Sequence, residues 1–195
     1  MKSLRLLLCA LPLALTGCAT VSSGFSSVNW SAAYPWNWFG SSMEVTEQGV
    51  GNLTASTPMD EKAIDDALDG DYRLRTGMKT DHGQIVKYVE ALKDDKVALV
   101  VNGDAGTVSQ IEVLDNDIAA ADGTKIGTPF SDVYSKAFGN CEKASGDDST
   151  SVMCKAKDSQ HISYLFSGSW GGPQELMPPD DSLKFWKVSK IIWRR

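Results

Sequence analysis

The chain has 195 residues, 42% of them hydrophobic, and a formal charge of −6. That length supports one well-built core or two small fused ones. The acidic balance excludes an electrostatic fit to nucleic acid and argues against a body that lies flat on anionic lipid. Any attachment to a membrane has to come from something other than net charge.

The first residues supply it. Lys2 and Arg5 introduce an apolar run over residues 4–13, and Leu15-Thr16-Gly17-Cys18 follows directly. A basic start, a short apolar stretch and small residues describe a secretory signal, too short to stay in a bilayer as a spanning helix. A cysteine straight after Gly17 makes the pattern a lipobox, which predicts removal of residues 1–17 and acylation of Cys18 at its thiol and at the new amino terminus. Each buried methylene contributes about 0.8 kcal/mol, so several chains give a stable anchor where a single one is marginal. The alternative is an ordinary signal with a chance cysteine at the cut. The full pattern at this distance from Met1 favours Cys18 as the lipidation site, tethering the membrane-bound protein without spanning. By resemblance to lipoproteins of diderm bacteria, Ala19 in place of aspartate implies the outer membrane, facing the periplasm.

Residues 18–42 read as the lipidated tether, rich in Ser, Ala and Gly. An aromatic cluster is set into it: Trp30, Tyr34, Trp36, Trp38 and Phe39. Aromatic rings with a polar edge favour the headgroup zone, so Trp30, Trp36 and Trp38 are candidate membrane-interface contacts. Packing of the same rings onto the following domain is the competing reading.

Residues 43–195 are expected to form the globular domain, α+β and predominantly antiparallel, written as two repeats over 43–115 and 116–195. Thr57-Pro58-Met59-Asp60 opens one helix, with Thr57 as N-cap, an apolar face of Ala63, Ile64, Ala67 and Leu68, and Gly70 as its stop. Thr128-Pro129-Phe130-Ser131 opens a second in the same way, with Phe130, Val133, Tyr134, Ala137 and Phe138 as the stripe and Gly139 as the stop. Four strands follow each helix, at 72–77, 85–92, 97–102 and 108–114, then at 140–144, 151–157, 162–167 and 183–193. Residues 85–92 also carry helical spacing, but Val86, Tyr88 and Val89 are good strand formers. The closing strands share Val-Ser-x-Ile at 108–111 and 188–191. Each half therefore predicts one helix packed on a four-stranded meander.

Of four cysteines, Cys9 leaves with the signal and Cys18 is modified, so Cys141 and Cys154 remain as one pair in an oxidising compartment and are expected to form a disulfide. His82 and His161 stand in no metal-binding pattern and read as solvent-facing. Asp115-Asn116-Asp117 with Asp122-Gly123 superficially resembles a calcium loop, but the ligand alternation breaks at Ala119 and no bidentate glutamate follows. No GxSxG or Ser-x-x-Lys element is present, which lowers the case for a hydrolase. No metal, no cofactor and no catalytic residue is expected.

Residues 168–182 interrupt the second meander where the first has a short turn. They contain Trp170-Gly171-Gly172-Pro173, and Trp170 is a candidate partner contact, against the plainer reading of a ring tucked over the sheet edge. Lys184, Lys187, Lys190, Arg194 and Arg195 make the last strand basic. Lys184, Lys187 and Arg194 are candidate contacts for an anionic partner, or a guard on an exposed sheet edge.

Together these features, the Leu-Thr-Gly-Cys lipobox, the tryptophan-rich 30–39 segment, Thr128-Pro-Phe-Ser-Asp-Val, the cysteine pair and the Trp-Gly-Gly-Pro loop, resemble the RpoE-regulated lipoprotein family of enterobacteria, the YfeY-like proteins. The resemblance implies a place in the envelope stress response and carries over no catalytic or binding residue. The expected function is a non-enzymatic interaction module in envelope maintenance, partnered with the membrane through Cys18 and with an envelope protein or polymer. An enzyme acting on envelope components, or a carrier of a small apolar ligand, are the alternatives.

Overall fold

The computed structural model describes residues 43–195, except His82 and the side chain of Asp81. The signal, Cys18 and Trp30, Trp36 and Trp38 lie outside the described residues. The first meander comprises β4 (Arg73–Asp81), β5 (Gln84–Lys93), β6 (Lys96–Asp104) and β7 (Thr107–Val113), after β1 (Glu44–Thr46), β2 (Gly49–Val50), β3 (Leu53–Thr54) and α1 (Glu61–Ala67). β8 (Ala119–Ala120) and α2 (Phe130–Val133) lead into β9 (Cys141–Lys143), β10 (Val152–Lys155), β11 (Ile162–Ser167), α3 (Asp180–Leu183) and β12 (Lys187–Arg194).

Alternation drives these strands. Val89 and Ala91, Leu99 and Val101, Ile111 and Val113, and Ile191 and Trp193 all point to one buried side. The turns have the chemistry the hairpins need: Asp94 and Asp95 both take positive φ (51° and 60°), as do Ala105 and Gly106 (52° and 85°). Among the described residues the long strands form one eight-stranded sheet, ordered β4-β5-β6-β7-β12-β11-β10-β9, with every pairing antiparallel. The two meanders thus share one sheet, joined where β7 meets β12. β12 is therefore interior, hydrogen-bonded on both sides, and its basic residues do not guard an edge as the sequence allowed.

A second small sheet, β3-β2-β1-β8, includes a parallel pairing of Val45 with Ala120. Strands of two or three residues are too short to show alternation, so no sequence pattern announces them. Val45, Val50 and Leu53 from this sheet, Ile64 and Leu68 from the α1 segment and Phe130 from α2 bury against the large sheet in one continuous core.

Both expected helices are shorter than read. Asp60, not Thr57, caps α1, its Oδ1 accepting from the Ala63 N–H at 2.9 Å. Thr57 instead accepts from Thr54 N through its hydroxyl (3.0 Å) and from Val108 N through its carbonyl (3.0 Å), so Pro58 lies beside a strand rather than in the helix. α2 is a single turn: Tyr134 returns to extended backbone (φ −130°, ψ 139°), and Phe138 is 86% exposed and no part of a buried stripe. One turn of aromatic and β-branched residues with no side-chain cap cannot propagate, and Tyr134 is held instead between Phe130 (5.4 Å) and Phe166 (5.9 Å). Residues 183–186, read as strand, form the end of α3 and a turn before β12.

The halves place equivalent bonds at equivalent positions. Val108 N donates to Thr57 O (3.0 Å) and Val188 N to Thr128 O (2.9 Å); Met59 N donates to Gly106 O (2.9 Å) and Phe130 N to Trp186 O (2.8 Å). Ser109 and Ser189 each bulge from their strand, and each hydroxyl donates to a carbonyl across the bulge, Asn102 O (3.2 Å) and Leu165 O (3.1 Å). Where the halves meet, Ile111 faces Trp193 and Val113 faces Ile191, with Glu112 opposite Ile192 at the centre.

Candidate functional site

The halves differ most in the connection between their last two strands. Ala105 and Gly106 close the turn from β6 to β7, whereas residues 168–186 connect β11 to β12 and include α3. This longer connection is anchored, not loose. Pro178 and Leu183 are buried, Met177 packs on the core, and Asp180 Oδ1 accepts from Ala137 N at 2.8 Å.

Two glycines in it are there for close approach. A Cβ on Gly168 would stand 2.3 Å from Trp186 Cδ1 and 2.6 Å from its Nε1, and one on Gly172 would stand 2.1 Å from Trp170 Cζ2. Backbone therefore approaches both indoles closely, in space that a side chain would fill. Trp170 is half-buried against the core, so its ring is neither free in solvent nor wholly absorbed. The result is a cleft of about 260 Å³, lined by Lys143, Thr150, Trp170, Gln174, Pro178 and Trp186 along with the glycines. Trp186 is 3% exposed, and its indole N–H has no acceptor among the described residues. A buried donor left unpaired costs about 1–3 kcal/mol, so such a group asks for a partner.

One wall of the cleft is pinned covalently. Cys141 and Cys154 face each other on β9 and β10, with Cα atoms 4.0 Å apart, and form the expected disulfide. Lys143 stands two residues beyond Cys141 on the same face of this edge strand. The bridge thereby holds the lysine in place.

The other sequence candidates are dispersed. Lys184 pairs with Asp181 (3.1 Å) beside the Phe185 ring, and Lys187 is exposed at the start of β12, next to Trp186. Lys190 bridges Glu112 (3.2 Å) and Asp148 (2.9 Å), Arg194 Nε donates to Gln110 Oε1 (2.8 Å), and Arg195 pairs with Asp104 (3.0 Å). These contacts neutralise much of the basic strand internally, and no single cationic patch results. Lys143 and Trp186 were not singled out from sequence. Trp186 stood inside an expected strand, and only the glycine spacing of the loop hints at an indole needing room.

Two depressions of about 340 Å³ open elsewhere on the sheet. One contains His161, whose Nδ1 lies 2.7 Å from Arg194 O and whose ring stacks near Trp193. The other contains Asn102, whose Oδ1 is unpaired while its amide N–H donates to Glu112. Among the described residues, no group of three or more His, Cys, Asp or Glu side chains could hold a metal ion. The acidic stretch is occupied internally: Lys93 bridges Asp115 (3.5 Å) and Asp117 (3.2 Å), and Asp122 accepts from Thr124 N and from the Tyr164 hydroxyl.

Burial pushes the hydroxyl pKa values of Tyr134 and Tyr164 well up, reinforced at Tyr164 by its bond to Asp122. For Lys190, burial alone favours the neutral amine, but the bond to Asp148 and the charges of Glu112 and Asp148 outweigh it and raise the pKa. These groups lie away from the lining of the Trp170 cleft. What the cleft offers is contact chemistry: indole faces, a buried N–H, a cation and polar side chains.

The sequence profile of the family described as "Protein of unknown function (DUF1131)" matches residues 27–195. The chain is 70% identical over 195 residues, the whole of both chains, to the "Uncharacterized protein YfeY" of Escherichia coli (strain K12). It is also similar to the crystal structure of the uncharacterized protein yfeY from Escherichia coli, at 66% identity and a TM-score of 0.73, over 78% of this chain and 99% of that one. The likeness bears out a β-rich, predominantly antiparallel fold with few helices.

Proposed function

We propose that this chain, which belongs to the DUF1131 family of proteins of unknown function, is a non-enzymatic binding module in envelope maintenance. Acylated Cys18 holds it at the periplasmic face of the outer membrane, and the Trp170–Trp186 cleft takes the partner. One observation carries the binding role: an anchored connection, present in only one of two otherwise matching hairpins, builds a cleft over a buried indole N–H that lacks an acceptor. The lipobox supports the tether, and the disulfide between Cys141 and Cys154 agrees with an oxidising compartment. The test is a photocrosslinking amino acid at position 170 of the full-length protein in intact cells. Capture of a discrete envelope species, absent when the crosslinker replaces exposed Lys157, is the expected result. Equal, diffuse labelling from both positions would overturn the cleft as the binding site.

The two halves, residues 43–115 and 116–195, are best explained as copies of one ancestral unit. Matched Thr-Pro bridges, matched serine bulges and a symmetric β7–β12 junction support this. Profile alignment of the two halves across divergent family members should superpose Thr57-Pro58 on Thr128-Pro129 and 108–111 on 188–191. A better score in another register would contradict common origin.

A further inference from the structure

Resting on the reading of the cleft as a binding site, we infer that it is a subsite for one ring of an acidic saccharide. Its volume of about 260 Å³ falls just below the roughly 300–1,000 Å³ of sites for drug-sized ligands, which suits a single ring. Indole surfaces accept the apolar C–H face of a sugar while leaving its hydroxyls at the polar margin. Thr150 and Gln174 supply hydrogen-bonding groups at that margin.

Two further groups narrow the class. Trp186 lines this cleft, and its buried indole N–H, which has no acceptor among the described residues, is a donor for a hydroxyl or acyl oxygen. Lys143 lines the same cleft and makes no ion pair among the described residues, so its charge is free for a carboxylate on the sugar. A polyproline segment also docks on aromatic grooves, but it reads an extended series of rungs, and this cleft of about 260 Å³ has the size of one ring. A saccharide satisfies the size, the N–H and the cation together.

The experiment titrates the full-length lipidated protein, in detergent micelles and labelled at tryptophan nitrogen, with three probes: N-acetylmuramic acid, neutral N-acetylglucosamine and a proline-rich peptide. The Trp186→Phe variant, which keeps a ring and removes the N–H, assigns the resonance. A saturable shift of that indole signal with the acidic sugar is expected, weaker with the neutral one. Trp186→Phe should lower affinity by about tenfold, the scale of one lost hydrogen bond, with its remaining tryptophan signals unchanged. Lys143→Gln should bring the acidic sugar down to the neutral one. Equal affinity for both sugars in the native protein overturns the acidic assignment. No response to either sugar, or a response to the peptide alone, overturns the saccharide. If position 170 still captures a partner in cells, that failure leaves the binding role standing; if neither experiment gives a signal, both readings fall.

Discussion

Gly172 and Gly168 leave no room for a methyl group beside the two indoles, so each makes a direct test of how the cleft is held. Gly172→Ala places Cβ 2.1 Å from Trp170 Cζ2, so the ring or the loop has to move. Expelling Trp170 or bending the loop should destabilise the fold by about 1–3 kcal/mol, seen as a lower urea midpoint and a red-shifted tryptophan emission. An unchanged midpoint and spectrum would mean the loop does not clasp Trp170. Titration makes a second residue-level prediction. Tyr134 and Tyr164 keep their protons in the folded state above the ordinary tyrosine value of 10.0, and Lys190 keeps its proton above the ordinary 10.5. In each case the folded state binds more protons than the unfolded one once pH passes those values, so stability is fully present below them and falls as pH rises through the folded pKa values. Urea unfolding followed from pH 8 upward should show a midpoint that falls above about pH 10, and Tyr134→Phe with Tyr164→Phe should flatten that fall. At this scale the sequence pointed to Trp170, which the structure places in the lining of the cleft, because residues 168–182 had no counterpart in the first meander. It did not mark Lys143 or Trp186, whose roles depend on which strands become neighbours.

Strand pairing decides what the elements do. Cys141 and Cys154 are separated by 13 residues and close the β9–β10 hairpin. By loop-closure entropy the bridge is worth about 3 kcal/mol, which for a domain of this size corresponds to a melting temperature lower by about 6–12 °C. Calorimetry of Cys141→Ser with Cys154→Ser against the native protein checks this, and coincident transitions would show that the bridge contributes nothing. β12 carries the larger load. Ile191 is fully buried where the two meanders join, and Ile191→Ala should cost about 2–5 kcal/mol. The seven long strands outside β12 were legible within a few residues, since alternation and turn residues are local signals. The start of β12, the small sheet and both helix lengths were not. Leu183 and Trp186 continue an apolar pattern through a helical turn, and Thr57-Pro58 has the look of a helix start while serving as an edge for β7. A Thr-Pro pair fixes extended backbone equally well for either use.

At the scale of the whole molecule, a single sheet assembled from two similar meanders carries the proposed binding cleft on the long β11–β12 connection, where the first meander has a tight turn. Among the described residues no helix is long and apolar enough to cross a membrane, and the acidic chain gains little from lipid charge. The lipobox ending at Cys18 therefore carries the whole weight of the proposed tether. Metabolic labelling with radioactive palmitate addresses it. The native protein should take up label and sediment with the outer membrane, while Cys18→Ala should remain unlabelled and leave that fraction. Native protein that never incorporates palmitate would contradict a lipid-tethered module outright.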